Sequence, residues 1–390
     1  MDAIKEAIKE AIEKSKAYYC LECGKCTAVC PIARPYGDFS PRRMASMAIT
    51  GAYEPLIEYD RLWACLTCGL CGERCPSDVS YGGFVRLVRA QARRSGFTGI
   101  CSHGGTLQSL MHMMGQDRFR QKRLDWVPED VKWKPNQGEV LYFVGCLPYF
   151  EAFFSDLGAK PLEAAKGTLR LLNRMGIEPA LLEDERCCGH DLLWSGDTEG
   201  FKALARKNAE LIEASGAKMI VTSCPEGLRT LKADYPKMVG LNVEVKHISE
   251  VIAEKLKEGV ISFRQDGEKP VRVTYQDPCR LGRHLGIYQA PRTVMEAIPG
   301  LELREMPRSG NLAICCGTSS WMNCDITSKA LQTERLKEAH ETGSELLVTA
   351  CPKCEIHFKC TLKDNVLGPD ENLEIVDLAT LAAQSLDDQT

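Results

Sequence analysis

Met219-Ile220-Val221-Thr222-Ser223-Cys224-Pro225 is an apolar run that ends in cysteine and proline, and Leu346-Leu347-Val348-Thr349-Ala350-Cys351-Pro352 repeats it. Each run has the length and β-branched content of a buried strand. Each follows a helical stretch closed by glycine, Gly216 in one case and Gly343 in the other. The likeness continues outward. Val140-Leu141-Tyr142-Phe143-Val144-Gly145-Cys146 is an apolar strand leading to cysteine, as Val271-Arg272-Val273-Thr274-Tyr275 leads to Cys279. Cys187-Cys188-Gly189 recurs as Cys315-Cys316-Gly317, and Asn242-Val243-Glu244-Val245 as Asn372-Leu373-Glu374-Ile375. Counterparts stay roughly 130 residues apart, which marks one α/β unit present twice. The units are read as 139–264 and 269–388, with Gln265-Asp266-Gly267-Glu268-Lys269-Pro270 as the hinge.

Alternation of apolar strands with helical segments predicts a parallel sheet with helices on its faces. Ligands of such sheets gather at the carboxyl ends of strands. Cys146, Cys224, Cys279 and Cys351 all sit there. A cysteine that merely fills a core has no reason to prefer strand ends, whereas a ligand does.

Upstream, Cys20-x2-Cys23-x2-Cys26-x3-Cys30-Pro31 is repeated as Cys65-x2-Cys68-x2-Cys71-x3-Cys75-Pro76. Three cysteines spaced by two residues wrap one [4Fe-4S] cubane, and the fourth, set before proline, ligates the other. That rule groups Cys20, Cys23, Cys26 and Cys75 on one cluster, and Cys65, Cys68, Cys71 and Cys30 on the second. Zinc sites use cysteine pairs on longer spacers, not triplets followed by Cys-Pro. Gly24, Gly69 and Gly72 let the backbone approach the clusters. The second α/β unit carries Cys279-x35-Cys315-Cys316-x34-Cys351-x2-Cys354, five thiols where a zinc ion or one cubane needs four. The first carries Cys146-x40-Cys187-Cys188-x35-Cys224-x2-Gly227, with glycine at the last position.

Residues 15–98, through Cys23-Gly24-Lys25-Cys26, Phe39-Ser40-Pro41-Arg42, Trp63-Ala64-Cys65 and Cys75-Pro76-Ser77-Asp78-Val79, resemble the C subunit of heterodisulfide reductase. The resemblance implies an α-helical ferredoxin domain, read over 1–98. Residues 99–138 mix Gly, His, Met and Trp without clear periodicity and read as a linker or a packed irregular segment. The Cys-Cys-Gly units resemble the B subunit of that enzyme, whose cysteine-rich domains bind noncubane [4Fe-4S] clusters that reduce a disulfide. The joined layout is that of the D subunit, and of the cytoplasmic iron–sulfur subunit of the dissimilatory sulfite-reduction membrane complex. It implies an α+β multidomain oxidoreductase in which electrons enter at two cubanes and pass singly to a noncubane cluster. Cys279, Cys315, Cys316, Cys351 and Cys354 would hold that cluster and reduce a disulfide, or oxidise the corresponding thiols. Cys146, Cys187, Cys188 and Cys224, lacking the fifth cysteine, are candidates for a further iron–sulfur cluster or a structural remnant. The implied partners are a flavoprotein, a hydrogenase or a membrane cytochrome b, and a small or protein-borne disulfide. The implied location is the cytoplasm, with attachment to the inner face of the membrane through a partner. The alternative is a relay subunit of a glycolate, lactate or glycerol-3-phosphate dehydrogenase, where a flavin partner does the chemistry. Thr318-Ser319-Ser320, where the reductases are expected to be richer in glycine, leans that way.

The composition agrees with this class. The chain has 390 residues, 44% of them apolar, a net charge of −4 and 20 cysteines. Such a core needs no disulfide scaffold, and the weak acidic balance gives no nucleic-acid surface. No apolar run has membrane-spanning length and the N-terminus lacks a signal-peptide core. No dinucleotide fingerprint or phosphate loop is present, so neither flavin nor nucleotide is expected. Ile4, Ile8 and Ile12 predict one buried face of an N-terminal helix. Arg118, Arg120, Lys122 and Arg123 read as a solvated basic cluster. Cys101, Cys324 and Cys360 match no motif and read as small core residues, and His190 and His247 as satisfied polar residues rather than ligands.

Overall fold

A computed structural model describes residues 2–264, 269–364 and 373–387. Residues 265–268 of the expected hinge, and Asn372, lie outside the described residues. The chain is an α+β multidomain protein built as two compact units. One comprises Met1–Met113, Gly189–Phe201 and Ile314–Leu331, and the other Met114–Cys188, Lys202–Ala313 and Gln332–Thr390.

The first unit is helical. Its opening helix, Asp2–Ser15, buries Ile8, Ala11 and Ile12 and packs along the helix Tyr81–Arg94. Ile4 is half-buried, as the outermost turn of that face would be. Ser40 and Pro41 start the helix Pro41–Ile49: the Ser40 hydroxyl accepts from Arg43 N at 3.2 Å, and proline occupies a position where no amide is needed. The stretch read as a linker contains a helix, Thr106–Met114, that the sequence did not announce. From it Gln108 donates to the carbonyls of Ser320 and Trp321, at 3.1 and 3.0 Å.

The second unit holds the sheets of both repeats. Among the described residues the first forms β1 (Lys134–Pro135), β2 (Val140–Tyr142), β3 (Ala180–Leu181), β4 (Met219–Thr222) and β5 (Glu244–His247). The second forms β6 (Val271–Gln276), β7 (Leu301–Leu303), β8 (Leu346–Thr349) and β9 (Glu374–Asp377). The sheet orders are β1-β3-β2-β4-β5 and β7-β6-β8-β9, and every pairing is parallel. Apart from the extra edge strand the two topologies are identical. Leu141 registers with Ile220 in one sheet, and Thr274 with Leu347 in the other.

The repeats pack reciprocally. Helix Pro161–Arg174 of the first lies on Leu378–Gln384 of the second, and Ile248–Lys257 of the first on Gln289–Ala297 of the second. Gly167 makes the former contact possible, since a Cβ there would stand 2.7 Å from the Ala379 carbonyl. One expectation needs correcting here. Arg118, Arg120 and Lys122 are exposed, but Arg123 is buried, paired with Glu185 at 2.8 Å and donating to the Gly145 carbonyl at 2.7 Å. A buried guanidinium survives only with such partners.

Candidate metal centres

The cysteines of the helical unit gather into two groups. One cavity is lined by Cys30, Cys65, Cys68 and Cys71. A second is lined by Cys20, Cys23, Cys26 and Cys75, with Cys71 at its border. Each group takes three cysteines from one run and the fourth from the other. The loops are built alike: Glu22 and Thr67 are left-handed at φ 50° and 47°, and Gly24 and Gly69 at 76° and 82°. Amides point at the sulfurs, with Thr67 N 3.4 Å from Cys65 Sγ and Val79 N 3.4 Å from Cys75 Sγ.

All these cysteines are free thiols, and among the described residues no carboxylate or imidazole lines either cavity. That is a soft donor set of the kind iron–sulfur clusters use. Burial pushes the Cys30 thiol up to about 12, with Cys65 and Cys68 adding to the rise. Burial likewise raises Cys71 and Cys26. Crowded, buried thiols ionise only against a cation, which is what ligated iron provides. The residues fit the group. Tyr81 lines both cavities, and its hydroxyl donates to Met44 Sδ at 2.9 Å.

The loop of Cys65 is fixed by Arg89, which is 1% exposed. Its guanidinium donates to the carbonyls of Leu62, Trp63, Cys65 and Trp194, between 2.7 and 3.2 Å. Trp194 belongs to the segment that begins at Gly189, directly after the first Cys-Cys pair. On the same loop Thr67 Oγ1 lies 3.2 Å from Ser319 Oγ. Ser319 follows Cys315 and Cys316, both buried in this unit. The chain just beyond Cys316 also turns sharply: Ser320, Trp321 and Asn323 are all left-handed without being glycine, a strained course.

In the α/β unit the remaining motif cysteines follow strands. Cys224 and Cys351 cap the helices Pro225–Ala233 and Pro352–Leu362, just past β4 and β8. Cys146 caps Leu147–Phe154 after β2, Cys279 follows β6, and Cys354 is buried on the first turn after Cys351. Burial raises the Cys224 thiol well above its ordinary range, and the charges of Cys351, Glu226 and Cys188 raise it further. Cysteines of the two repeats are therefore neighbours. Glu226 and Lys353, at equivalent places, pair at 2.6 Å beside them. The Cys187-Cys188 turn is held by Asn208, which donates to Cys187 O at 3.0 Å, and by Tyr235, which donates to Cys188 O at 3.1 Å. Glu185 accepts from the amides of Val144 and Gly145, at 3.2 and 2.7 Å, and so ties this turn to the one carrying Cys146.

Gly227 is not enforced by crowding, because a Cβ there would meet Thr222 Oγ1 at 3.5 Å and Cys224 Cβ at 3.8 Å. Cys101 and Cys360 are half-buried. Cys324 is exposed, contrary to its reading as a core residue, because it stands on the turn ahead of helix Ile326–His340. His190 and His247 are buried with polar partners, Asp191 at 3.3 Å and Ser249 at 2.8 Å. Arg89, Thr67, Glu185 and the Glu226–Lys353 pair were not singled out from sequence, and Ser319 entered only within Thr318-Ser319-Ser320, not as a contact to Thr67. Only the Glu226–Lys353 pair had a signal there, an acid and a base at matched repeat positions.

Residues 16–79 match the 4Fe-4S dicluster domain family, and residues 140–232 and 273–359 each match the cysteine-rich domain family. The D subunit of dihydromethanophenazine:CoB–CoM heterodisulfide reductase from Methanosarcina acetivorans is 36% identical over 68% of this chain. The chain spans 63% of the length of that relative. The EtfAB:quinone oxidoreductase of Syntrophomonas wolfei is 31% identical over 61% of this chain and 33% of its own. A crystal structure of a hypothetical protein from Helicobacter pylori shares the fold, with a TM-score of 0.52 at 10% identity over 90% of this chain and 68% of its own. Among the described residues no helix is long and apolar enough to cross a membrane. Taken with the thiol groups, these matches make the chain an iron–sulfur protein similar to the D subunit of heterodisulfide reductase, with a 4Fe-4S dicluster domain joined to two cysteine-rich domains.

Proposed function

We propose that this chain is the iron–sulfur subunit of a complex that reduces a disulfide, or oxidises the corresponding thiols. Cys20, Cys23, Cys26 and Cys75 would hold one cubane, and Cys30, Cys65, Cys68 and Cys71 the other. Cys279, Cys315, Cys316, Cys351 and Cys354 would hold a noncubane [4Fe-4S] cluster and form the catalytic site. Cys146, Cys187, Cys188 and Cys224 would hold at most a further cluster without that role. Bound there, the clusters supply one-electron transfer. The chain's own part is to hold the thiols, exclude water and set the loops against one another. The domains would run 1–98, 139–264 and 269–388, with 99–138 linking the first two.

The observation that carries this reading is the Thr67–Ser319 contact. It sets the loop bearing Cys65 and Cys68 against the segment bearing Cys315 and Cys316 inside one compact unit. A relay between those cysteines needs such proximity. The electron partner would be a flavoprotein, a hydrogenase or a membrane cytochrome b, and attachment to the cytoplasmic face of a membrane would come through it. Iron and acid-labile sulfide analysis, with EPR before and after adding a thiol to the oxidised protein, tests the proposal. Cys315→Ala should abolish disulfide reduction and the thiol-induced signal, and Cys187→Ala should leave that signal intact. Loss of the signal in Cys187→Ala alone would move the active site to the first repeat.

A relay without substrate chemistry is the second reading, favoured by the quinone oxidoreductase relative and by Thr318-Ser319-Ser320. It requires that no thiol perturb any cluster signal.

A further inference from the structure

The two cysteine runs present the same positions to different surroundings. Tyr18-Tyr19-Cys20-Leu21-Glu22-Cys23 aligns with Trp63-Ala64-Cys65-Leu66-Thr67-Cys68, and the loop backbones agree at their left-handed residues. In the second run Trp63, Ala64 and Leu66 are buried and line a small cavity together with Ser319, Met322 and Asn323. What covers that run is the chain's own segment Ile314–Leu331, the one that carries Cys315 and Cys316. In the first run the counterparts are bare. Tyr18 is 76% exposed, Tyr19 67% and Leu21 70%, and Cys23, which lines the cavity with Leu21, is exposed too. The bare segment is not slack: Cys20 N donates to Ala17 O at 3.0 Å, and Lys16 pairs at 2.6 Å with Asp78, beyond Cys75.

We propose that Tyr18, Tyr19 and Leu21 are the docking face for an external one-electron carrier protein with an acidic contact surface. The inference rests on the reading that Cys20, Cys23, Cys26 and Cys75 hold a cluster. Within one molecule the repeated run shows what such a face is for: its covered copy meets a cysteine-bearing segment, and its bare copy meets no equivalent among the described residues. Adjacent exposed aromatics are the residue type on which protein interfaces concentrate their binding energy. The sign of the partner follows from Lys25 and Arg42, both exposed and, among the described residues, the only charged ones lining the cavity of Cys20. Glu22 shares the face, and Asp78 is already engaged by Lys16. On docking, the carrier is oxidised by one electron and the centre behind Cys23 is reduced by one. No bond is made or broken and no proton is needed.

The test uses the cluster-loaded full chain under anaerobic stopped flow, with two donors: a reduced acidic plant-type ferredoxin, and reduced methyl viologen. The Tyr18→Ser/Tyr19→Ser variant should be reduced by ferredoxin roughly tenfold or more slowly than wild type, as loss of two interface aromatics implies. With methyl viologen the two proteins should agree. Lys25→Glu should slow ferredoxin alone, and added salt should slow the wild-type reaction. Equal ferredoxin rates in wild type and variants would overturn the docking face, as would a wild type that methyl viologen reduces and ferredoxin does not. Binding to phosphatidylglycerol–phosphatidylcholine vesicles that Tyr18→Ser/Tyr19→Ser abolishes would overturn it in favour of a lipid surface. Absence of any cubane signal in loaded wild type would instead bring down the underlying cluster reading, and the docking face with it.

Discussion

Glu226 and Lys353 hold the same place in the two repeats, Cys-Pro-Glu-Gly and Cys-Pro-Lys-Cys, and they pair with each other at 2.6 Å with side chains 13% and 4% exposed. Each sits in the first turn of the helix that its cysteine caps. A glutamate suits the positive end of a helix dipole, whereas a lysine does not. The misplaced lysine is tolerated because the other repeat brings an acid to it. The pair therefore belongs to the contact between repeats, not to either repeat alone.

Removing one partner takes this ion pair from the other, which stays buried. We expect Glu226→Gln to destabilise by about 3–5 kcal/mol. The double variant Glu226→Gln/Lys353→Met, which removes both charges, should recover most of that loss. Anaerobic thermal unfolding of the loaded protein gives the ranking: wild type and double variant above either single. A double variant no better than the singles would show that the pair does not act as a unit.

The repeat architecture was legible because strand composition and cysteine placement are local: β4 and β8 announce themselves, and so do Cys224 and Cys351 after them. The grouping of Cys20, Cys23, Cys26 with Cys75 likewise follows from spacing. What could not be read is long-range. Arg123 looked like one of four surface cations because its partner Glu185 lies 62 residues away. The segments Gly189–Phe201 and Ile314–Leu331 sit within the repeats in sequence yet belong to the helical unit. Among their anchors are Trp194 on Arg89 and Ser319 on Thr67, contacts across 105 and 252 residues. No periodicity records such contacts.

Arg89 offers a sharper test of that arrangement. A planar guanidinium serves four carbonyls at once, which an ammonium cannot. Hydrogen bonds from a charged donor contribute about 1.5–3 kcal/mol each, so Arg89→Ala should free the Cys65 loop. We expect loss of the EPR signal from the centre of Cys30, Cys65, Cys68 and Cys71, with the other cubane retained. Arg89→Lys should fall between. Equal loss of both signals would mean that Arg89 supports the whole unit and not that loop.

Asp377 and His247 cap equivalent helices of the two repeats, each accepting from the amide two residues on, at 2.8 and 3.2 Å. Burial favours the neutral form of both, pushing the Asp377 carboxyl up to about 8 and His247 down to about 4. For a raised acid the stabilising contribution is complete below its unfolded value near 3.9 and is lost as pH climbs to about 8. For the lowered histidine it is present above about 6.5 and lost as pH falls toward 4. Asp377→Asn keeps the capping oxygen and cannot ionise. Its stability advantage over wild type should grow by roughly 1.4 kcal/mol per unit between pH 6 and 8 and level off above. Urea unfolding across that range measures it, and a gap independent of pH would show that Asp377 is ionised in the fold.

The last expectation concerns how the two cysteine runs share their ligands. Proline after Cys30 and Cys75 turns each fourth cysteine away from its own triplet, and each then lines the cavity of the other. The electrostatics agree for one of them, since the neighbours that raise the Cys30 thiol are Cys65 and Cys68, not Cys20 or Cys23. Cys75→Ser should therefore change the signal of the cubane at Cys20, Cys23 and Cys26, the more exposed of the two. Cys30→Ser should change that of the cubane at Cys65, Cys68 and Cys71. The two centres can be told apart without relying on either variant, because the exposed one should bleach first under ferricyanide or an iron chelator. If Cys75→Ser instead spares the fast-bleaching centre and alters the slow one, each run would close its own cluster, and the crossed assignment would be wrong.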